Sequence, residues 1–298
     1  MKINYTIAAL LFALSCGPEK TAEPYVEVAR LNAPGDSWEP AAIAVAPDGR
    51  IYVADSSLNS AVQVFDRDGL YIGGIGGLGK GPGELFVPTD VAVGPDGKIY
   101  VTEFGTRRVS VFEPDGRFVK TVGEGVLTAP FGVAAGPDGK IYVSDAEAGG
   151  LLIFSPEGAL LEVWGEEADT GPILDVAVAA DGGVALAPGP TGEVLFYSGY
   201  GRKLSRLKAS KNGTFIATEV TFGPEGNFFV LGERTGAVGA QEHYVARLAA
   251  DGRFIGEIEL ALTSPAGIAV APDGTVYVAD GSRHEVKIYR PYKGDSGR

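Results

Sequence analysis

Between residues 25 and 291 the chain alternates short runs rich in Val, Ile, Tyr and Phe with clusters of Pro, Asp and Gly, the pattern of short strands joined by tight turns. Ile43 to Ala46 alternates large and small residues, and Pro47-Asp48-Gly49 supplies a turn in which glycine is free to take positive φ. Ile51 to Ala54 returns as the second arm of a hairpin. A third strand, Ala61 to Phe65, ends at Asp66-Arg67-Asp68-Gly69, and Leu70 to Gly73 begins a fourth. The same outer turn recurs at Asp115-Gly116, Glu157-Gly158 and Asp251-Gly252.

This four-strand unit repeats. The segment Ile43 to Asp55 returns at Val91 to Glu103, Val133 to Asp145 and Ile268 to Asp280, with weaker copies from Val176 and Val220. The turn glycines are Gly49, Gly97, Gly139, Gly182, Gly226 and Gly274, which puts them 48, 42, 43, 44 and 48 residues apart. Six copies at that period predict an all-β, six-bladed β-propeller of four-stranded antiparallel blades, because one such sheet has two faces to cover and must pack on its neighbours. The sixth unit runs out after one further strand, Glu285 to Tyr289. The orphan segment Tyr25 to Leu31 alternates like Phe254 to Leu260, the outermost strand of unit five, so it is expected to complete the last blade and close the ring.

The unit resembles the NHL repeat over residues 25 to 291. The resemblance rests on Pro40, Pro88, Pro130 and Pro265 before the inner strand, Tyr52, Tyr100, Tyr142 and Tyr277 in the second, and Phe65, Phe112, Phe154 and Tyr289 closing the third. It departs in lacking the Asn-His-Arg triplet before the third strand, of which Leu58-Asn59-Ser60, Thr106-Arg107-Arg108 and Ser282-Arg283-His284 are fragments. Unit four is eroded, since Ala185 to Pro190 lack the Tyr and the acid.

Composition narrows the partners. Asp plus Glu is 38 against 25 Lys plus Arg, a net charge of −13, which repels a phosphate backbone and argues against nucleic acid. Residues 1–15 read as an export signal: Lys2, the apolar run Ile7 to Leu14, then small Ser15 ahead of the single cysteine, Cys16. The run is too short to span a bilayer. Ala13-Leu14-Ser15-Cys16 resembles the lipobox of bacterial lipoproteins, which implies a lipid on Cys16 and a membrane-anchored location in the cell envelope. Residues 16–24 then form a polar tether and residues 292–298 a tail.

In a propeller the loops from second to third strand and from blade to blade surround the mouth of the axial channel, the default ligand site of the fold. The acids placed there are Asp55, Glu103, Asp145 and Asp280 at second-strand ends, with Asp90, Asp175 and Glu219 just before inner strands. The first four belong to the repeat, where an Asp satisfies backbone donors of the following turn. No cofactor is expected; calcium, held by oxygens of Glu39, Asp90, Asp175 and Glu219, is the one candidate. The peptidylglycine-amidating lyases resemble this fold and hold zinc with three histidines, whereas this chain has two, His243 and His284. Trp38-Glu39-Pro40 is similar to the metal-binding Glu segment of the gluconolactonases, which keeps a calcium-dependent lactonase or esterase as the alternative. The glycine-rich Gly73 to Glu84 is followed by a strand rather than a helix and reads as an inter-blade connection, not a phosphate loop. One basic cluster stands out, Arg202, Lys203, Arg206, Lys208 and Lys211, on the outer edge of unit four: a guard against edge pairing, or a patch for an acidic partner or anionic headgroups. The expected function is that of a monomeric, non-enzymatic binding or scaffolding lipoprotein, with a protein, peptide or small-molecule ligand at the mouth.

Overall fold

The computed structural model describes residues 23–33, 38–165, 171–189, 193–209, 215–235 and 241–292. The expected export signal, residues 1–15, and also Cys16 and Lys211 lie outside these. Among the described residues, 24 strands form six four-stranded antiparallel sheets. Blade 1 is β2 (Pro40–Val45), β3 (Ile51–Asp55), β4 (Ala61–Phe65) and β5 (Tyr71–Gly76). Blade 2 is β6 (Pro88–Val93), β7 (Ile99–Glu103), β8 (Arg108–Phe112) and β9 (Phe118–Val122). Blade 3 is β10 (Pro130–Ala135), β11 (Ile141–Asp145), β12 (Gly150–Phe154) and β13 (Leu160–Trp164). Blade 4 is β14 (Asp175–Val178), β15 (Val184–Ala187), β16 (Glu193–Tyr197) and β17 (Lys203–Lys208). Blade 5 is β18 (Phe215–Phe222), β19 (Phe228–Thr235), β20 (Gln241–Leu248) and β21 (Phe254–Glu259). Blade 6 is β22 (Pro265–Val270), β23 (Val276–Asp280) and β24 (Glu285–Pro291), completed by β1 (Tyr25–Leu31).

The closure is as the sequence implies. β1 pairs antiparallel with β24, Tyr25 opposite Pro291 and Leu31 opposite Val286. A chain-end strand thereby supplies the fourth member of the last sheet and the ring has no open seam.

Each middle strand is sealed on both faces because a blade sits between two others. All five residues of Ile51–Asp55 are buried, as are those of its counterparts in blades 2, 3 and 6. The alternation divides the work. Ile51, Val53 and Phe65 face Ala269, Tyr277 and Ala279 of blade 6, while Tyr52, Ala54, Val62 and Val64 face Ile99, Val101 and Phe112 of blade 2. In blade 4 the missing tyrosine is Ala185, fully buried, and the space is filled from the next blade by Phe215 and Phe228. Phe228 packs against Phe196 with ring centroids 4.8 Å apart.

One expectation changes. The inner strands start earlier than the apolar run suggests: Pro40, Pro88, Pro130 and Pro265 are their first residues, each paired with the acid that ends the second strand. A register shift follows at once, between Pro88 and Asp90 in blade 2 for example, and the extra residue rotates the strand before its regular part begins. Asp90 and Glu219 therefore lie inside strands and Asp175 opens one.

Candidate functional site

The repeat acids are structural anchors in their local chemistry. Asp55, Glu103, Asp145 and Asp280 are completely buried beneath the mouth-side loops. Asp145 Oδ1 accepts from the backbone N–H of Ala129 at 3.0 Å and Ala148 at 2.9 Å, and Oδ2 from Thr128 at 2.7 Å. Burial pushes its pKa up, but the bonds from Ala148, Thr128 and Ala129 outweigh it and hold the carboxyl below the usual range. Asp55 does the same with Glu39 N, Ser57 N, Asn59 and Gln63, and Asp280 with Thr263 N and Arg283 N. These oxygens point into their own loops, not into the channel.

Glu103 uses its carboxylate differently. Oε1 accepts from Arg108 Nε at 2.9 Å and Ser110 Oγ at 2.6 Å, and Oε2 from Phe86 N at 3.0 Å. The rest of the buried Arg108 guanidinium donates to the carbonyls of Lys80, Gly81 and Glu84 at 3.1–3.2 Å. A sealed ion pair thus ties down the glycine-rich connection. The sequence shows both residues but not their pairing across the loop.

Three acids do meet. Equivalent pairing positions on the six inner strands place Ala42, Asp90, Gly132, Asp175, Glu219 and Gly267 in one tier around the axis. The three acids of this tier line the axial channel, a cavity of about 290 Å³ otherwise lined mainly by Val, Ala and Ile from all six inner strands. Asp90 Oδ2 accepts from Val133 N of blade 3 at 2.6 Å and Asp175 Oδ2 from Val220 N of blade 5 at 2.8 Å. Each carboxyl therefore stitches its own blade to the next. The glycines permit the approach: a Cβ on Gly132 would lie 2.5 Å from Asp175 Oδ1, and one on Gly267 2.6 Å from Ala42 Cα.

With Asp175 buried, Asp90 and Glu219 half-buried in the channel wall, and no cationic neighbour in the lining, these carboxyls resist ionisation. Burial first, then the charge of Asp175, raises Asp90 well above the carboxylate range. Burial, then the charges of Asp175 and Asp90, does the same to Glu219. Asp175 is pushed up by burial to about 7 despite hydrogen bonds from Val220, Val176 and Glu219. Protonated side chains are thus favoured, and a neutral Glu219 donates to Asp175.

Glu39 does not join them. Its side chain is exposed outside the channel lining, and its backbone N donates to Asp55. Trp38 is buried and donates from Nε1 to His284 O, while His284 Nδ1 lies 2.6 Å from Trp38 O. This clamp joins the start of blade 1 to blade 6. His243 sits in blade 5, 4.0 Å from Glu233. Among the described residues no group of three or more His, Cys, Asp or Glu is arranged to hold a metal ion.

The mouth-side loops of blades 1–3 carry four exposed apolar side chains that sequence reasoning did not single out: Leu58, 84% exposed, with Leu78, Phe104 and Val126. Phe104 leans on Phe131, centroids 5.9 Å apart, and the Lys80 ammonium lies 4.6 Å from the Phe86 ring centre. Of the basic cluster, Arg202, Arg206 and Lys208 are exposed on or beside β17, the edge strand of blade 4; Arg206 meets Glu193 at 3.5 Å, and Lys203 opens the strand.

Six closed four-stranded blades around an axial channel define a β-propeller of the six-bladed class. A family model described as a 6-bladed beta-propeller matches residues 40–131, and an NHL repeat model matches residues 262–289; the chain is a six-bladed propeller, and the NHL match falls on its last blade. Comparison by sequence with curated proteins finds no match. Similar solved structures include a streptogramin B lyase (13% identity, TM-score 0.65, covering 90% of this chain and 98% of that one) and virginiamycin B lyase from Staphylococcus aureus (13%, 0.62, 89% and 99%). Hydrazine synthase of Kuenenia stuttgartiensis is another (19%, 0.63, 86% and 78%). At these identities the likeness is one of fold.

Proposed function

We propose that this protein is an exported, lipid-anchored binding propeller of the cell envelope, which engages a protein or peptide partner through its mouth face. The carrying observation is the division of labour on that face. Carboxyls that would do chemistry are spent on backbone donors or face the channel without a cationic partner, whereas Leu58, Leu78, Phe104 and Val126 stand out in solvent on the mouth-side loops; other exposed large apolar side chains, Leu70, Ile72, Leu160 and Leu161 among them, lie on outer strands and turns. Exposed apolar side chains gathered on one surface mark contact sites. Anchoring rests on the signal-like run before Cys16 and its small Ser15.

Metal analysis of the dialysed domain, followed by a lactone and aryl-ester panel with added calcium, tests this against the hydrolase alternative. The expected result is no stoichiometric metal and no turnover. One equivalent of metal, with turnover abolished by Asp175→Ala, overturns it.

A further inference from the structure

Away from the mouth, two blades each extend a cation to the outer turn of the next blade. At the seam of blades 1 and 2 the Arg50 guanidinium lies 5.9 Å from the Tyr52 ring centre, and its Nη1 donates to Pro114 O at 3.0 Å. At the seam of blades 2 and 3 the Lys120 ammonium donates to Pro156 O. Pro114 and Pro156 are the second residues of their turns, and the equivalent residue in blade 4 is Gly199.

The seam of blades 3 and 4 has no such cation. Lys120 stands opposite Val111, one residue before the aromatic that closes the third strand; the same position on β13, opposite Ile153, is Glu162, so the charge is reversed. Lys140, the equivalent of Arg50, spends its ammonium on Asp138 at 2.8 Å. Blade 4 also lacks two side chains here. In blades 1–3 the turn acids Asp48, Asp96 and Asp138 pair with a base two residues on, at 2.5–2.8 Å. In blade 4 that base is Gly183, which gives Asp181 a backbone N–H at 3.0 Å and no charge. With Gly183 and Gly199 bare, the seam opens into a cleft of about 400 Å³ lined by Asp138, Lys140, Tyr142, Asp181, Ser198 and Tyr200 among others. Tyr200 stands where the outer turns of blades 1, 2, 3 and 5 carry Asp68, Asp115, Glu157 and Asp251, and its ring is exposed.

We propose that this cleft binds a small guanidinium compound of the size and chemistry of free arginine. The ligand supplies at the third seam the cation that Arg50 supplies at the first: its planar fork donates to Gly199 O and to the Asp181 carboxylate, between Tyr142 and Tyr200. Guanidinium combines bidentate donation with affinity for aromatic faces, and the named lining holds two carboxylates against one ammonium. The volume is that of a site for a small solute. The cleft lies on the face opposite the mouth, so this site goes beyond the partner reading and does not depend on it.

The domain from residue 16, with Cys16→Ser, is titrated calorimetrically with Nα-acetyl-arginine amide, its lysine analogue, and its citrulline analogue, which keeps the shape without the charge. One equivalent of the arginine compound is expected to bind, with the citrulline compound about tenfold weaker, because hydrogen bonds to a charged group are lost, and the lysine compound also weaker. Asp181→Asn lowers arginine binding about tenfold, and Tyr200→Ala about threefold. Glu162→Lys places an ammonium where Lys120 carries one and is expected to lower arginine binding about tenfold by competing for the site, with the melting temperature unchanged. No binding of the arginine compound, equal binding of the citrulline or lysine compound, or wild-type affinity in Asp181→Asn or in Glu162→Lys overturns the proposal.

Discussion

The carboxyl tier of the channel makes stability depend on pH in the direction opposite to ordinary acid denaturation. Asp175 binds its proton up to about pH 7 when folded and releases it near 3.8 when unfolded. Between those values the folded state holds one more proton than the unfolded state. Unfolding free energy therefore falls as pH rises, by about 1.4 kcal/mol per pH unit for one such group. Stability contributed by this protonation is complete below pH 3.8 and lost as pH climbs through 7. From pH 5 to pH 7 Asp175 alone accounts for roughly 2 kcal/mol, an order-of-magnitude figure. Asp90 and Glu219, both raised, act with the same sign. The depressed carboxyls, Asp55, Asp145 and Asp280, lose their contribution only at lower pH and leave this window clear. For a domain of this size 2 kcal/mol corresponds to a melting shift of about 4–8 °C. Urea titrations of the soluble domain at pH 5, 6 and 7 measure the slope directly. Asp90→Asn with Glu219→Gln removes two of the three raised carboxyls without removing volume, leaves Asp175 alone to titrate in the channel, and is expected to flatten the curve toward the slope of one group. Stability that is level or rises from pH 5 to 7, or a double variant with the wild-type slope, would refute the reasoning.

Two further predictions concern the frame. Arg108→Ala leaves Glu103 buried without its charge partner, at a cost of about 3–5 kcal/mol; limited proteolysis is expected to cut residues 77–87 faster, since three of their carbonyls lose the guanidinium. Deleting residues 25–31 exposes β24 and the Trp38, Phe65 and Ile288 cluster that Leu31 helps to cover, and is expected to lower the melting temperature far more than deleting residues 294–298. Equal melting temperatures would contradict the role given to the closure.

The architecture was legible because its turn glycine recurs six times and its Tyr-Val strand four times, so that the strong copies locate the two weaker ones, and the orphan strand Tyr25–Leu31 had one vacancy to fill. The meeting of Asp90, Asp175 and Glu219 was only half legible. Their apolar followers mark where regular alternation begins, but the extra residue after Pro88 decides that Asp90 turns to the axis rather than into a loop. Glu39 illustrates the limit, since nothing in Trp38-Glu39-Pro40 says that Trp38 would be buried and Glu39 left outside. Compensation across a seam, Phe228 for the tyrosine absent at Ala185, is invisible to a reading that treats each unit alone. The exposed apolar loop residues were missed for the same reason, as an isolated Leu58 or Phe104 carries no sign of its burial.

The most direct test of partner binding at the mouth is photo-crosslinking in intact cells with a benzophenone amino acid placed at one position at a time. Leu58, Phe104 and Val126 sample the mouth, and Tyr200, 97% exposed in the outer turn of blade 4, samples the opposite side. The account predicts one discrete higher-mass adduct shared by the three mouth positions, absent at position 200, and abolished at position 58 when Phe104→Asp is introduced. Adducts of equal yield at all four positions, or none at the mouth under conditions where position 200 crosslinks, would contradict it.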